Sequence, residues 1–143
     1  MQKDIVDLIA RVLLSFIFIF DAIDSIKFRE STIQQMAEYG LTWNPHFLLN
    51  LGIGCLILGG LMLLLGYRSS FGAFLLLLYW VPVTVIVHSY WNEPLNLQRE
   101  QSLHFMKNLA ITGGLLLVYV NGSGKYSIRR LFATTRVNRK FWD

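Results

Sequence analysis

Long apolar runs alternate with short polar segments along the 143 residues of the chain. Four windows are long enough, or nearly so, to cross a hydrocarbon core about 30 Å thick as helices. These windows lie at about 5–26, 47–65, 71–87 and 103–120. Apolar residues cover all sides of each window, unlike the one-sided pattern of a surface helix in a soluble protein. Because backbone groups in lipid must be paired internally, we predict an all-α integral membrane four-helix bundle.

The segments between the windows contain turn-forming residues. Residues 66–70 predict a tight turn, and the glycines of 122–124 predict the end of the fourth helix. Residues 32–39, in the longest connection, predict a short interfacial helix. Asp21 and Asp24 stand where a signal peptide would have its cleavage site, so we expect the first helix to be retained. The pattern indicates one membrane domain over 1–124 and a basic, aromatic tail over 125–143.

Composition supports this class of protein. Hydrophobic residues make up 54% of the chain and charged residues only 15%, so there is ample apolar surface to bury and intrinsic disorder is excluded. The one cysteine, Cys55, excludes a disulfide scaffold. The formal net charge of +4 comes largely from the tail, next to an apolar segment, so we expect contact with the lipid bilayer and none with nucleic acid.

The basic residues also predict an orientation. Four crossings place both termini on one side, and eight Lys and Arg residues fall on that side against four on the other. Cytoplasmic flanks of membrane helices carry the excess of Lys and Arg. We therefore predict a multi-pass protein with its N- and C-termini in the cytoplasm.

Polar side chains gather at the opposite, non-cytoplasmic ends of the helices. They are, from the first window, Asp21, Asp24 and Lys27; after the third, His88 and Trp91; and at the start of the fourth, His104, Lys107 and Asn108. Ionisable residues within membrane helices are costly and usually functional. We therefore predict a polar pocket at the outer leaflet that binds a quinone head group, relays protons or anchors a partner, with Trp91 closing it. Histidine suits proton exchange near neutral pH.

A simpler interpretation of the same residues remains open. Lys27 and Lys107 would extend to the headgroup level, and Asp24 would pair with Lys27. A bound metal or haem is the weaker expectation, because the chain has no close-spaced ligand motif such as H-x-x-x-H or C-x-x-C. The chain also lacks a P-loop, a dinucleotide fingerprint and a nucleophile elbow, so no catalytic residue is identified.

Two further features concern packing. Small residues allow close approach of membrane helices, and those singled out are Gly59, Gly60, Ala110, Gly113 and Gly114. Arg11, near the cytoplasmic end of the first window, has Asp7 four residues earlier. We expect this arginine to pair with Asp7 and to extend toward water.

Residues 104–117 (HFMKNLAITGGLLL) and 122–127 (GSGKYS) form two blocks that contain glycine, in and after the fourth window. They resemble the H-F-x-K-N-L-x-x-x-G-G-L-L block and the G-x-G-x-x-S ending of the DoxX family of small bacterial membrane proteins. Residues 88–91 (HSYW) resemble its H-x-F-W segment. Arg11 and Lys27 match the arginine and lysine of its first helix. Residues 54–56 (GCL) depart from the family, where relatives often carry a glutamate.

The resemblance implies a function linked to redox chemistry. Some DoxX relatives are subunits of thiosulfate:quinone oxidoreductases, and others associate with redox partners in oxidative-stress complexes. It implies a bacterial inner-membrane protein that is a subunit of, or partner to, a quinone-linked oxidoreductase, with quinone as the candidate cofactor. The alternative is a non-catalytic accessory subunit that scaffolds a larger membrane complex. A small transporter is a third, weaker alternative, because no inverted repeat is visible.

Overall fold

The computed structural model describes residues 2–128 of the chain, and all its regular elements there are helical. The helices are α1 (Gln2–Lys27), α2 (Arg29–Glu38), α3 (Pro45–Leu65), α4 (Ser69–Val87) and α5 (Leu95–Asn121), with a short 3-10 helix at Tyr90–Asn92 between the last two. The tail predicted for 125–143 lies outside the described residues from 129 onward.

Helix α1 has an inverted distribution of polar and apolar residues. Its buried residues are Arg11, Ser15, Phe18, Ala22 and Ser25, three of which are polar. Several of its large hydrophobic side chains, among them Leu13, Phe16 and Phe20, are more than half exposed. A helix in water buries its apolar face and exposes its polar one. The surroundings of α1 must therefore be apolar.

Three helical segments are long and apolar enough to cross a membrane: Pro45–Leu65, Ser69–Asn92 and Leu95–Asn121. Helix α1 is of similar length, with 26 residues, but Asp7, Arg11, Asp21 and Asp24 interrupt its apolar sequence. By length and composition, α3, α4 and α5 are thus candidate membrane spans, and a fourth crossing depends on how the charges of α1 are accommodated.

The long helices pack in chain order. Helix α1 packs on α3, α3 on α4 and α4 on α5, while α1 and α5 touch over a smaller area. Phe18 of α1 and Trp80 of α4 meet edge to face, with ring centroids 5.1 Å apart. Leu56, Leu76 and Leu115 are fully buried around this pair. The centre of the fold is therefore apolar.

Glycines permit the closest contacts between helices. A Cβ atom on Gly59 would lie 2.6 Å from Leu76 Cγ and 3.0 Å from the carbonyl oxygen of Gly72, so α3 and α4 meet here almost backbone to backbone. Gly60 faces Ile19 of α1. Gly114 faces the Leu14 side chain, which places it between α5 and α1. Ala110 is exposed, and Gly113 has no atom within 4 Å of a Cβ placed on it.

The helix ends follow local sequence signals, with one clear exception. Gly66 (φ 68°) and Arg68 (φ 47°) adopt left-handed conformations in the turn between α3 and α4, and Gly122 (φ 70°) follows α5. Helix α5 begins at Leu95, about two turns before the apolar window predicted from 103. Most residues between Pro94 and that window are polar, and hydropathy alone does not register a helix that continues beyond the apolar core.

Candidate functional site

The polar site is built at the end of the molecule where α1 and α4 finish and α5 begins. Asp21 is half-buried there and interacts electrostatically with Asp24 and His88. Asp24 and Lys27 are exposed. Instead of pairing with Asp24, the ammonium group of Lys27 lies 5.2 Å from the centroid of the Phe28 ring. Of the three charges at this end of α1, Asp21 is thus the one that faces α4.

His88 and His104 stack on each other. Their ring centroids are 5.3 Å apart, and the ring planes differ by only 13°. Nδ1 of His88 lies 2.9 Å from Oε1 of Gln101, so this nitrogen carries the proton when it donates to the amide oxygen. Gln101 and His104 are three residues apart on α5 and share one face. We call Asp21, His88, Gln101 and His104 the polar cluster.

Asn108 lies one helical turn deeper than His104, and Trp80 lies two turns deeper than His88. The carbonyl oxygen of Asn108 accepts hydrogen bonds from Trp80 Nε1 (3.4 Å) and from Thr112 Oγ1 (2.8 Å). Lys107, its neighbour, is exposed. The Asn108 backbone therefore joins α5 to α4 beneath the polar cluster, whereas the exposed Lys107 acts on His104 electrostatically.

An aromatic group lies beside the polar cluster. The rings of Tyr90, Trp91 and Phe105 contact one another edge to face, with centroid distances of 5.3 to 5.7 Å. Trp91 is 52% exposed, and Phe105 follows His104 directly in α5. The predicted role of Trp91 in closing a pocket stays a prediction.

Two residues that the sequence interpretation missed belong to the same region. Thr84 Oγ1 is buried and has no hydrogen-bond partner within the described part of the chain. Tyr79 is half-buried, interacts electrostatically with Asp21 and Cys55, and packs its ring against Gly52, where a Cβ would lie 2.5 Å from the ring. The sequence could have indicated that Thr84 belongs to this region, because it lies four residues before His88 and residues at that spacing share a helix face.

The opposite end of the molecule is organised by Arg11, which is fully buried. Its Nε bonds to Asp7 at 3.0 Å, Nη1 to the carbonyl oxygen of Leu63 at 3.1 Å, and Nη2 to the carbonyl oxygen of Tyr126 at 2.6 Å. The pairing with Asp7 agrees with the sequence interpretation, but the expected extension toward water was wrong. The guanidinium instead links α1, the end of α3 and the segment after α5.

This segment is held by further contacts. Lys125 Nζ lies 3.6 Å from an Asp4 carboxylate oxygen, and Ser123 Oγ donates to Ser69 Oγ at 2.9 Å. A Cβ on Gly124 would collide with the Asp7 carboxylate. The start of α1 and the residues after α5 therefore lie together at one end, opposite the polar cluster.

Residues 2–128 contain no group of three or more His, Cys, Asp or Glu side chains placed to hold a metal ion. The polar cluster can donate and accept hydrogen bonds, and its two imidazoles can exchange protons.

Comparison with known proteins agrees with the resemblance noted in the sequence. The sequence model of the DoxX family matches residues 6–89, which include most of α1 and all of α2, α3 and α4. The chain belongs to the DoxX family. Among proteins similar to this DoxX chain is inner membrane protein YqjF of Escherichia coli (strain K12), 36% identical over 90% of the chain and 93% of the relative.

A second DoxX-like relative is more distant. Inner membrane protein YphA of the same organism is 28% identical over 86% of the chain and 87% of its own length. No solved structure matches the chain at a significant level. Both relatives match over nearly their full length, so their extent is close to that of this chain.

Proposed function

We propose that this protein is a four-span inner-membrane protein, with both termini in the cytoplasm, that acts within or beside a quinone-linked redox complex. In this proposal the polar cluster lies at the outer leaflet and contacts the quinone head group. Asp21, His88, His104 and Asn108 line the pocket, and Trp91 closes it.

The exposed apolar face of α1 supports the fourth crossing. Lipid is the surrounding that allows Phe16 and Phe20 to be exposed while Arg11 is fully buried. The charge of Arg11 is compatible with a membrane helix because three hydrogen bonds satisfy it inside the protein. With four crossings the two ends of the chain fall on one side, which agrees with the contact between Arg11 and Tyr126.

The observation that carries the proposed site is the stack of two imidazoles at one end of an apolar core, with a half-buried carboxylate, Asp21, that interacts electrostatically with His88. A quinone head group offers carbonyl oxygens as hydrogen-bond acceptors, and its reduction takes up protons. The stacked imidazoles of His88 and His104 can donate hydrogen bonds to such oxygens. Together with Asp21, which interacts electrostatically with His88, they can also deliver protons. Inner-membrane placement is supported by the names of the two relatives.

The test begins with isolation of the tagged protein from its native membrane in mild detergent, followed by mass spectrometry of what co-purifies. Cytochromes, quinone-reactive enzymes or sulfur-oxidising subunits are the expected partners. His88→Ala and His104→Ala should then lower quinone reduction by the isolated complex at least tenfold. His46→Ala is the matched control, since His46 is exposed at the start of α3 and outside the polar cluster. Equal activity in all three variants would contradict the proposed pocket.

A second candidate function is that of an accessory subunit that scaffolds a larger membrane complex. It is favoured by α5, whose apolar window is only 11% buried and which exposes the small residues Ala110 and Gly113. A scaffold should tolerate His88→Ala and His104→Ala but lose its partner when Ala110 or Gly113 is changed to Leu. Co-purification of the variants distinguishes the two functions.

A further inference from the structure

The contact between His88 and Gln101 bears on which nitrogen of the His88 ring carries the proton. Neutral imidazole has one proton and two nitrogens, and the hydrogen bond made by one nitrogen decides the form that is present. Nδ1 of His88 lies 2.9 Å from Oε1 of Gln101, and an amide oxygen can only accept. The contact therefore places the proton of neutral His88 on Nδ1 and leaves the lone pair on Nε2.

The same contact suits the protonated form of His88. Imidazolium donates from both nitrogens, so Nδ1 needs an acceptor before and after a proton is added at Nε2. Asp21 of α1 interacts electrostatically with His88, and a nearby carboxylate stabilises a positive ring. An amide NH2 group facing Nδ1 would lose its bond when the ring is protonated. With its oxygen there, Gln101 holds the ring through uptake and release of a proton.

Helix α5 supplies two different constraints on the His88 ring. The stack with His104, whose plane differs by 13°, fixes the plane of the His88 ring. Stacking alone does not distinguish the two orientations related by a half-turn of the ring about the Cβ–Cγ bond. The hydrogen bond to Gln101, three residues before His104, makes that distinction because it requires Nδ1 at this edge. The identity of the outward nitrogen of His88 thus depends on Gln101.

The charges around the two imidazoles come from two helices. Asp21 on α1 acts on His88, and Glu100 and Lys107 on α5 act on His104. The two imidazoles also act on each other. Both rings are half-buried, so each is partly accessible. A proton can therefore reach the stacked pair from outside the described residues.

We propose that Gln101 is a positioning residue that keeps the proton of neutral His88 on Nδ1 and so makes Nε2 the atom at which the site takes up and releases protons. In uptake, the Nε2 lone pair forms the new N–H bond and the ring becomes imidazolium. In release, that bond breaks and the proton passes to an oxygen of the quinone head group, while the redox complex supplies the electrons. The use of Nε2 rests on the proposed function, whereas the position of the proton rests on the contact with Gln101.

The first test reads the position of the proton from the ¹⁵N NMR spectrum of the purified full-length protein in detergent, labelled at the histidine ring nitrogens. The chain has three histidines, so His46→Ala, His88→Ala and His104→Ala assign every ring signal. At about pH 9, where an ordinary imidazole is neutral, His88 should have a protonated Nδ1 and an unprotonated Nε2. Gln101→Met removes the acceptor at similar length and should shift much of the proton population to Nε2.

Two further variants complete this test. Gln101→Glu keeps an acceptor oxygen and should restore the wild-type signals of His88. Gln98→Met, one turn earlier on α5, is the matched control and should leave them unchanged, because the contact with His88 is made by Gln101. A protonated Nε2 on His88 in the wild type, or signals unchanged by Gln101→Met, would overturn the inference and leave the proposed function standing.

Quinone reduction by the isolated complex provides the second readout. Gln101→Met should lower the rate about fivefold to tenfold, the value of one hydrogen bond, and Gln101→Glu should bring it back to within about threefold of wild type. A shifted proton in Gln101→Met with an unchanged rate would overturn the role of Nε2, while the proposed function would stand. Absence of quinone reduction by the wild-type complex would overturn the proposed function and the role of Nε2 together, and the NMR result would still decide the position of the proton.

Discussion

Arg11 is the residue on which the end of the fold opposite the polar cluster depends. Its side chain is fully buried and is shared by a carboxylate on its own helix and two backbone carbonyls from distant parts of the chain. The planar guanidinium can make these three bonds in different directions at once, which the compact ammonium group of lysine cannot do from one position. Position 66 leaves no room for a side chain, because a Cβ there would lie 2.6 Å from Arg11 Nη1.

Replacement of Arg11 by Met tests this dependence. The change leaves Asp7 and two carbonyl groups without their partner, and loss of one member of a buried charged network costs about 3–5 kcal/mol. We expect a corresponding decrease in the free energy of unfolding, measured by titration with sodium dodecyl sulfate in mixed micelles. Arg99→Met, at an exposed position on α5, should change it by less than about 0.5 kcal/mol. Equal effects of the two substitutions would contradict the role given to Arg11.

At the scale of the elements, α3 and α4 are held together by glycine contacts rather than by interlocking large side chains. Gly59 and Gly72 face each other across this interface, and the Leu76 side chain fills the space beside Gly59. Such close approach strengthens van der Waals packing, which drives helix association in lipid. The position of α4 relative to α3 in turn fixes where Thr84 and His88 lie.

Gly59→Ala should therefore be destabilising. The added Cβ would lie within 3.0 Å of both Leu76 and the Gly72 backbone, and overpacking of this kind costs about 1–3 kcal/mol. Gly54→Ala on the same helix is the control, because a Cβ there has nothing within 4 Å. Thermal unfolding in detergent should show a lower midpoint for Gly59→Ala only. A lower midpoint for both would indicate a general effect of glycine replacement in α3.

Hydropathy predicted the elements well where helix and apolar run end together. This holds for α3 and α4, which end at Leu65 and Val87 as expected. At α5 it located only the apolar part of the helix, since the first eight residues of that helix are largely polar. Counting crossings correctly brought His88 and His104 to the same end, but it gave no rotational phase for the helices. The contact with Gln101 and the unpaired Thr84 were therefore missed, and Asp24 and Lys27 were given more weight than their exposure supports.

At the scale of the whole molecule, polar groups occupy the two ends of the helices and apolar packing lies between them. One end holds Arg11 and its partners, and the other holds the polar cluster. The two ends of the described chain meet at the Arg11 end through the Lys125–Asp4 ion pair. An even number of crossings follows from this arrangement if α1 spans the membrane.

Cysteine labelling tests the orientation. In a Cys55→Ser background, Thr42→Cys and Tyr67→Cys place single thiols at exposed positions near opposite ends of α3. With a membrane-impermeant maleimide applied to intact spheroplasts, Thr42→Cys should be labelled at once and Tyr67→Cys only after permeabilisation. The reverse result would invert the proposed topology, and labelling of both would contradict a spanning α3.

The most direct measurement for the central claim is photolabelling with an azidoquinone, followed by peptide mapping of the labelled protein. A pocket formed by the polar cluster predicts that the label lies on the second half of α4 or the first half of α5, near His88 and His104. Excess unlabelled quinone should displace it, and His104→Ala should reduce it. Label spread over the exposed lipid-facing side chains, insensitive to competing quinone, would contradict a quinone site in this protein.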